Sequence, residues 1–506
     1  MTIIQIFDGN DTIGGNKIYI QEKGQGFFLD FGMNFKKYGE FFQEYISPRS
    51  IRGIYDLFKL NLVPKLNIYR KDIIPSDIDL SLLPSLDVKA ILISHAHMDH
   101  FGNVGLLDPS YPVITSPITL ALLKGILDTS SVKLGSDVAY YSIKKPKNDK
   151  KVLESDKYVL NGRNFITTEK YSNQLKEFVE TSAKSGKKYN KATLNNLNAF
   201  SSNFEITPLE VDHSIYGATG YILSGDTTIA YTGDFRLHGK KGNKTREFIR
   251  KAKNSSVLII EGTQAGRGDT QESEDLVYEN CLKISEDSKK LIVADFSARN
   301  FERLESFKKI AKAIDRSLVI TAKDAYMLTA LKKADGIDRL KDTLIYNELK
   351  TKFNFWESDI LAKDVEVNYI DPTDISKNPD NFILCFSLFD IKNLLDIKSY
   401  EGTYIYSSSE AFEEESEFDF TRLNNWLKFF NFEIIGFEII EEGEKQKPVF
   451  TKGYHASGHV SKSDLVEIME KIDPDIVIPV HTDDPEWFSR NFDNAILLKD
   501  NEKYTI

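Results

Sequence analysis

Residues 94–100, with the sequence SHAHMDH, constrain the fold more than any other part of the chain. They bring three imidazoles and one carboxylate together, a concentration that few sites other than metal sites need. The apolar block at 89–93 precedes them and predicts a short strand buried on both faces. His95 and His97 are two residues apart, so an extended backbone turns both rings to the same side. The pattern predicts a cluster at a strand end that faces two adjacent metal positions. The alternative is a histidine-rich surface loop.

Three more candidate ligands each follow an apolar stretch of the kind that forms a buried strand. They are His213, Asp234 and His481. Alone, each is more typical of a hydrogen-bonded structural residue than of a ligand, but together with residues 94–100 they favour metal binding. Imidazole and carboxylate without a thiolate suit Zn²⁺ first, with Mn²⁺ or Fe²⁺ as alternatives.

Four of these features match, in order, the motifs of a known fold. Asp30 in the sequence LDFG, the 95–100 cluster, His213 and Asp234 resemble the four motifs of the metallo-β-lactamase fold. The resemblance implies an α/β chain whose core is an αββα sandwich.

Three further positions resemble the additional motifs of the β-CASP nucleases. They are Glu261 in IIEGT, His459 in SGHV, and His481 after the apolar block IVIPV. Residues 11–16, DTIGGN, resemble the start of the ribonuclease J type within that group. Typical members of that type carry an extra C-terminal domain, which is expected to be missing here because the chain ends soon after His481.

The resemblance implies two metal ions, as Zn²⁺ or alternatively Mn²⁺, with a hydroxide between them as the nucleophile. One ion would be held by His95, His97 and His213, the other by Asp99, His100 and His481, and Asp234 would bridge them.

The resemblance also implies catalytic roles for Asp30, Asp99, Glu261 and His459. Asp99 would act at the reacting centre as well as ligating, and Asp30 would fix the orientation of a ligand by accepting a hydrogen bond. His459 would protonate the leaving oxygen, because imidazole has a suitable pKa, and Glu261 would position it and keep it charged.

Two short segments are candidates for substrate binding. His455, Ser457 and Gly458 form a turn that offers an imidazole, a hydroxyl and a backbone N–H to a phosphate. Ser297, Arg299 and Asn300 lie between an expected strand and an expected helix, where backbone N–H groups point outward. The alternative for each is a capping turn, with Ser297 or Asn300 as the N-cap. His238 is left outside the ligand set.

A change of pattern near residue 270 predicts a second domain inserted into the first. Before it, short apolar strands alternate with turns and helices. After it, four strand-like blocks between residues 291 and 406 alternate with helical stretches such as 301–314, which predicts a parallel α/β domain. The expected organisation is a metallo-β-lactamase domain over 1–270 with a basic insertion at about 144–191, a β-CASP domain over 271–447, and a return segment over 448–506.

The net charge of −11 argues against a polyanionic substrate, but the charge is segregated along the chain. Residues 144–191 hold thirteen Lys or Arg against six Asp or Glu, and residues 236–253 hold eight against one. A basic rim beside a metal site can guide a phosphodiester inward even in an acidic protein. The alternative for residues 144–191 is an ordinary lysine-rich surface.

The sequence also indicates where the protein works. No apolar run reaches the roughly 18 residues of a membrane span, and the N-terminus lacks a basic region followed by an apolar one. The two cysteines, Cys281 and Cys385, are too few for a disulfide framework. These features predict a cytoplasmic protein without a membrane partner.

The resulting hypothesis is a metal-dependent ribonuclease of the β-CASP group that acts on RNA. A 5′ exonuclease activity and a homodimer are left open. Three alternatives remain: a DNA nuclease with the same site, a small-molecule hydrolase of the thioester or lactam type, and a non-catalytic RNA-binding subunit.

Overall fold

Two β-sheets that pack face to face and a third, parallel sheet form the framework of the chain. A computed structural model describes residues 1–43, 45–130, 134–148, 150–183, 186–268, 272–361, 368–408, 414–442 and 445–506. The expected domain boundary between residues 270 and 271 lies outside these ranges.

The strands are, in chain order, β1 (Thr2–Asp8), β2 (Lys17–Glu22), β3 (Gln25–Leu29), β4 (Val88–Leu92), β5 (Val113–Thr115), β6 (Tyr140–Tyr141), β7 (Lys144–Lys147), β8 (Val152–Ser155), β9 (Val159–Gly162), β10 (Phe165–Thr167), β11 (Lys188–Asn190), β12 (Leu194–Asn196), β13 (Glu205–Glu210), β14 (Thr219–Ser224), β15 (Thr228–Tyr231), β16 (Val257–Glu261), β17 (Leu291–Asp295), β18 (Ser317–Ile320), β19 (Thr343–Tyr346), β20 (Tyr369–Ile370), β21 (Phe382–Cys385), β22 (Gly402–Tyr406), β23 (Phe432–Ile435), β24 (Phe437–Glu442), β25 (Lys445–Phe450), β26 (Ile476–Val480) and β27 (Lys503–Thr505).

The α-helices are Phe35–Gly39, Tyr55–Lys59, Met98–Phe101, Pro117–Thr129, Asn173–Val179, Gly242–Lys251, Glu274–Asp287, Phe301–Ala313, Ala322–Asp335, Pro372–Lys377, Leu394–Ile397, Glu414–Phe429, Lys462–Ile472 and Glu486–Asn491. None of the described helices combines the length and hydrophobicity needed to cross a membrane.

The first two sheets share one apolar core. The eight-stranded sheet has the order β12-β10-β5-β4-β3-β2-β1-β27, and the five-stranded sheet has the order β13-β14-β15-β16-β26. Ala90 and Leu92 of β4 belong to the core that the two sheets share, whereas Ile91 belongs to the core on the opposite face. Strand β4 is therefore buried on both faces, as its apolar sequence predicts.

Helices cover the outer faces of this pair of sheets. Helices Gly242–Lys251 and Lys462–Ile472 share a core with β16 and β26 of the second sheet. Helix Pro117–Thr129 shares the core on the outer face of the first sheet. The layers follow the order helix, sheet, sheet, helix, so the predicted αββα sandwich is confirmed.

A seven-stranded sheet forms a second unit, with the order β20-β19-β18-β21-β17-β22-β23 and parallel pairing throughout. The four strand-like blocks expected from the sequence are β17, β18, β21 and β22. All of these strands lie in sequence between β16 and β26, which pair with each other from Val257↔Ile476 to Glu261↔Val480. The additional parallel α/β domain is therefore confirmed, and the chain returns from it to complete the sandwich.

Helix Pro117–Thr129 of the sandwich contacts helix Ala322–Asp335 of the parallel domain. A Cβ on Gly125 would lie 2.6 Å from Met327 Sδ, so the absence of a side chain lets the two helices approach closely. The Tyr326 hydroxyl donates to Asp128 Oδ2 at 2.7 Å across this contact. The two domains thus share buried apolar and polar contacts.

The segment 144–191, expected as a basic insertion in the first domain, contributes one strand to the first sheet. Strand β10 lies between β5 and β12 in the first sheet. Phe165 and Ile166 supply the buried apolar side chains that this position requires. The other described residues of the segment include the short strands β7, β8, β9 and β11 and one helix at Asn173–Val179.

Gly32 packs against the backbone of the histidine segment. A Cβ on Gly32 would lie 1.5 Å from the carbonyl oxygen of Asp99. The same carbonyl accepts a hydrogen bond from the backbone N–H of Gly15 at 3.0 Å. The backbone of Asp99 is therefore fixed by two glycines.

Replacing Gly32→Ala should lower the free energy of unfolding by about 1–3 kcal/mol, because the added methyl group overpacks this contact. Urea unfolding measures the change. Gly39→Ala is the matched control, since nothing lies within 4 Å of its Cβ position. Equal stability of the two variants would contradict the close packing of Gly32 on Asp99.

Candidate two-metal centre

Strands of both sandwich sheets end at one edge, and their ends carry the candidate residues. Asp30 follows β3, residues 94–100 follow β4, His213 follows β13, Asp234 follows β15, Glu261 ends β16, and His481 follows β26. The carboxyl ends of parallel strands meet at one edge of a sheet, where ligands usually bind in open α/β proteins. Residues from widely separated parts of the sequence are brought together in this way.

The first group consists of His95, His97, His213 and Asp234, whose candidate ligand atoms all lie within 4.8 Å of one another. His97 Nδ1 is 3.0 Å from His95 Nε2 and 3.2 Å from His213 Nε2. The other ring nitrogen of His213, Nδ1, lies 2.5 Å from the carbonyl oxygen of Gly458. That contact fixes the His213 ring with Nε2 directed into the group.

The second group consists of Asp99, His100, Asp234 and His481, again with candidate ligand atoms within 4.8 Å of one another. His100 Nε2 lies 3.1 Å from Asp234 Oδ2, and His481 Nε2 lies 3.1 Å from Asp99 Oδ2. His481 has a left-handed backbone with φ of 54°, which turns its ring back from the end of β26. Asp234 belongs to both groups.

The donor atoms of these groups fit divalent metal ions. Asp234 Oδ1 is buried and has no hydrogen-bond partner among the described residues. Burial lowers the pKa of His95 and His97 well below the usual range, and it lowers the pKa of His213 to about 4. These three rings are therefore neutral, with nitrogen lone pairs free for a metal, and a cation would satisfy the unpaired carboxylate oxygen.

Asp30 fixes the orientation of His100 in the second group. Its carboxylate accepts hydrogen bonds from the backbone N–H and hydroxyl of Ser94, each at 2.7 Å, and from the Tyr231 hydroxyl at 2.6 Å. Asp30 Oδ2 is also 2.8 Å from His100 Nδ1, which directs His100 Nε2 toward Asp234. A carboxylate behind a histidine commonly fixes the tautomer and orientation of a metal ligand.

Buried Glu261 and partly exposed His459 form a pair beside the two groups. His459 Nδ1 lies 3.0 Å from Glu261 Oε1, and Glu261 also accepts hydrogen bonds from the backbone N–H groups of Phe235 and Thr263. Burial lowers the pKa of His459, but the negative charge of Glu261 outweighs burial and raises the pKa to about 9. His459 is therefore protonated at neutral pH.

Hydrogen bonds to backbone groups fix the turn that precedes His459. The Ser457 carbonyl accepts from Arg236 Nη1 at 2.9 Å and lies 2.9 Å from His238 Nε2. The Ser457 hydroxyl accepts from the backbone N–H of His459 at 3.1 Å. A Cβ on Gly458 would lie 2.8 Å from Ser214 Oγ, so the turn packs closely against Ser214. His238, left out of the ligand set, thus contacts the turn.

His455 does not offer a free ring nitrogen to a substrate. Its Nδ1 lies 2.7 Å from the carbonyl oxygen of Ser408, and its Nε2 lies 2.6 Å from that of Gly436. The ring is buried and holds two loops of the parallel domain together. The substrate-binding role expected for His455 is therefore corrected to a structural one.

Two residues of the segment 297–300, Ser297 and Asn300, make structural contacts. Asn300 caps helix Phe301–Ala313 by accepting from the backbone N–H of Arg303, and Ser297 Oγ lies 2.6 Å from Ser408 Oγ. These contacts agree with the capping alternative.

Arg299 differs from its two neighbours. It has a φ of 79° and lines a cavity of about 450 Å³ with Thr321, Asn347 and Ser387, which follow β18, β19 and β21. Burial lowers the pKa of Arg299, and the charge of Asp99 opposes this shift.

Sequence reasoning missed several residues that support the centre. They are Ser94, Tyr231 and Thr263, whose hydroxyl groups contact Asp30, His459 or His481. Each lies in a segment that the motifs already marked. Their position at a strand end beside a candidate ligand was the available signal, but a hydroxyl at such a position is too common to single out.

Comparison with known families agrees with this geometry. Residues 70–275 match the model of the metallo-beta-lactamase superfamily, in agreement with the αββα sandwich. The cluster of histidines and carboxylates supports a metal-dependent hydrolase.

More specifically, the chain is similar to proteins named ribonuclease J. It is 23% identical over 403 residues to ribonuclease J of Mycoplasma pneumoniae and equally to that of Mycoplasma genitalium, covering 78% of this chain and 57% of each relative. The chain thus spans little more than half the length of these relatives. It is 30% identical over 118 residues to ribonuclease J of Methanocaldococcus jannaschii. A crystal structure of a protein of unknown function from Enterococcus faecalis V583 matches the full length of both chains with a TM-score of 0.70 and 20% identity, which shows a shared fold.

We predict that the purified protein binds two divalent ions per chain, measured by elemental analysis after metal stripping and reloading. Asp234→Ala should lose both ions, because Asp234 belongs to both groups. Asp226→Ala is the control, since its carboxylate is half exposed and pairs with Lys23. Two ions retained by the Asp234→Ala variant would contradict the shared role of this carboxylate.

Proposed function

We propose that this chain is a ribonuclease that hydrolyses phosphodiester bonds with two bound metal ions, Zn²⁺ or alternatively Mn²⁺. The observation that carries the proposal is the position of the Glu261–His459 pair beside two adjoining groups of candidate metal ligands. His95, His97 and His213 would hold one ion, Asp99, His100 and His481 the other, and Asp234 both. When bound, such ions supply Lewis-acid stabilisation of the phosphoryl oxygens and lower the pKa of a water molecule.

His459 supplies the proton that the leaving oxygen needs. Its Nδ1 is held by Glu261, which leaves Nε2 as the nitrogen able to donate. Because Glu261 raises the pKa of His459 to about 9, the ring carries its proton before the reaction begins. As the phosphorus–oxygen bond breaks, that proton passes to the departing oxygen and the ring becomes neutral.

Three features support a nucleic acid as the substrate, and the first of them favours RNA. The relatives that align with 78% of this chain are named ribonuclease J. The parallel domain and the turn at Ser457 lie beside the metal groups, whereas small-molecule hydrolases of this fold usually lack both. Basic helix Gly242–Lys251 follows closely after Asp234 and offers charge to a phosphate backbone. The intact donor set argues against a non-catalytic subunit.

Replacing His459→Ala should lower turnover by roughly 10²–10⁴-fold, the usual contribution of a general acid. The metal content should stay near that of the wild type, because Nδ1 of His459 is occupied by Glu261. Single-turnover kinetics and elemental analysis on the same preparation test this. Loss of metal together with activity would make His459 a ligand and contradict the assignment.

The metal-loaded protein should cleave single-stranded RNA in preference to DNA of the same sequence. Binding should weaken as salt rises, because basic residues displace counterions from phosphates. Labelled oligomers with a 5′-monophosphate or a 5′-triphosphate test for 5′ exonuclease action, and we expect the monophosphate to be preferred. DNA cleaved in preference to RNA would favour the DNA nuclease. Cleavage of thioesters or lactams with both oligomers untouched, or RNA bound but never cleaved, would overturn the proposal.

A further inference from the structure

Arg236 is a buried guanidinium whose hydrogen bonds join three parts of the structure. It follows Asp234 by two residues and is fully inaccessible to solvent. Its Nη1 donates to Glu274 at 3.0 Å and to the Ser457 carbonyl at 2.9 Å. Its Nη2 donates to Glu302 at 3.1 Å, and its Nε donates to Asp212 at 3.4 Å. One side chain thus contacts the sandwich, the parallel domain and the turn that carries His459.

The two glutamates belong to the parallel domain. Glu274 lies in the first turn of helix Glu274–Asp287, and Glu302 lies in the first turn of helix Phe301–Ala313. Arg303 donates from Nε to Glu274 at 3.0 Å and contacts the Ser407 backbone, which extends the network into the parallel sheet. All of these charged side chains are almost fully buried, and a buried charge is tolerated only when it is paired in good geometry.

The position of His459 depends on two consecutive carbonyls. The Ser457 carbonyl accepts from Arg236, and the Gly458 carbonyl lies 2.5 Å from His213 Nδ1. Both carbonyls point into the sandwich, so the next residue, His459, leaves the turn toward Glu261. The Gly458 contact ties the turn to the metal cluster, and the Ser457 contact ties it to the parallel domain through Arg236.

We propose that Arg236 is a positioning residue that sets the His459 ring against the metal cluster and couples that position to the parallel domain through Glu274 and Glu302. The inference rests on the proposed function, because it assumes that His459 protonates the leaving oxygen. The planar guanidinium presents several N–H groups in a fixed fork. A lysine at this position keeps the charge but cannot reach the turn carbonyl and both glutamates at once.

The test uses two RNA oligomers that differ in one atom. In one, the scissile linkage is normal, and in the other, sulfur replaces the leaving oxygen. A thiol has a pKa of about 8.5, so the thiolate departs without needing a proton from His459. A variant with a displaced His459 should therefore fail on the oxygen substrate and not on the sulfur substrate. A variant that is merely less well folded should lose both.

Arg236→Lys should lower kcat on the oxygen oligomer by at least about 10-fold, because a displaced general acid loses part of its usual contribution of roughly 10²–10⁴-fold. It should leave kcat on the sulfur oligomer, KM and metal content near wild-type values. Glu302→Gln removes the negative charge that accepts from Arg236 Nη2, so it should show the same pattern more weakly. This second variant tests the inference if Arg236→Lys does not fold. Arg422→Gln is the control, since Arg422 is exposed on helix Glu414–Phe429.

The outcomes separate this inference from the proposed function. Loss of activity on both oligomers by the same factor, in variants that keep their metal, would overturn the positioning role. Unchanged activity on both would do so as well. A wild-type protein that cleaves neither oligomer would overturn the proposed function itself, and the inference with it.

Discussion

The carboxylate of Asp234 is the point on which the rest of the site depends. Its Oδ2 atom lies near His100 (3.1 Å), His95 (3.6 Å), His481 (3.6 Å), His213 (3.9 Å) and His459 (3.9 Å). Burial alone would raise the pKa of Asp234, but His100 and His481 outweigh it and hold the pKa well below its usual range. Metal ions held by these imidazoles would supply the positive charge that keeps such a buried carboxylate ionised. The geometry around this one residue therefore fits a shared metal centre.

The fold brings residues that are far apart in the sequence close to this carboxylate. Strand β26 pairs with β16 after the chain has built the whole parallel domain, and that pairing places His481 beside Asp99. Because the ligands come from both halves of the sandwich, the centre forms only when the returning segment is in place. The parallel domain therefore contacts the candidate site through packing, and Arg236 hydrogen-bonds to Glu274 and Glu302 of that domain and to the turn before His459.

The sequence predicted the local parts of this arrangement well and the non-local parts poorly. The strand before His95 and the blocks at β17, β18, β21 and β22 were predicted because their apolar patterns are local. The burial of His455 against two carbonyls was not, because it depends on the loops that neighbour it in space. The same holds for Arg236, whose four partners lie up to 221 residues away and leave no periodic signal. Strand β10 was missed because two apolar residues in a basic segment are too few to identify a strand.

The central claim is that Asp234 is shared between two metal ions, and anomalous diffraction from crystals loaded with Zn²⁺ tests it most directly. The account predicts two anomalous peaks. One should lie about 2.0–2.2 Å from nitrogens of His95, His97 and His213, the other at similar distances from Asp99, His100 and His481, and the Asp234 carboxylate should contact both. A single peak, or two peaks of which only one contacts Asp234, would contradict it.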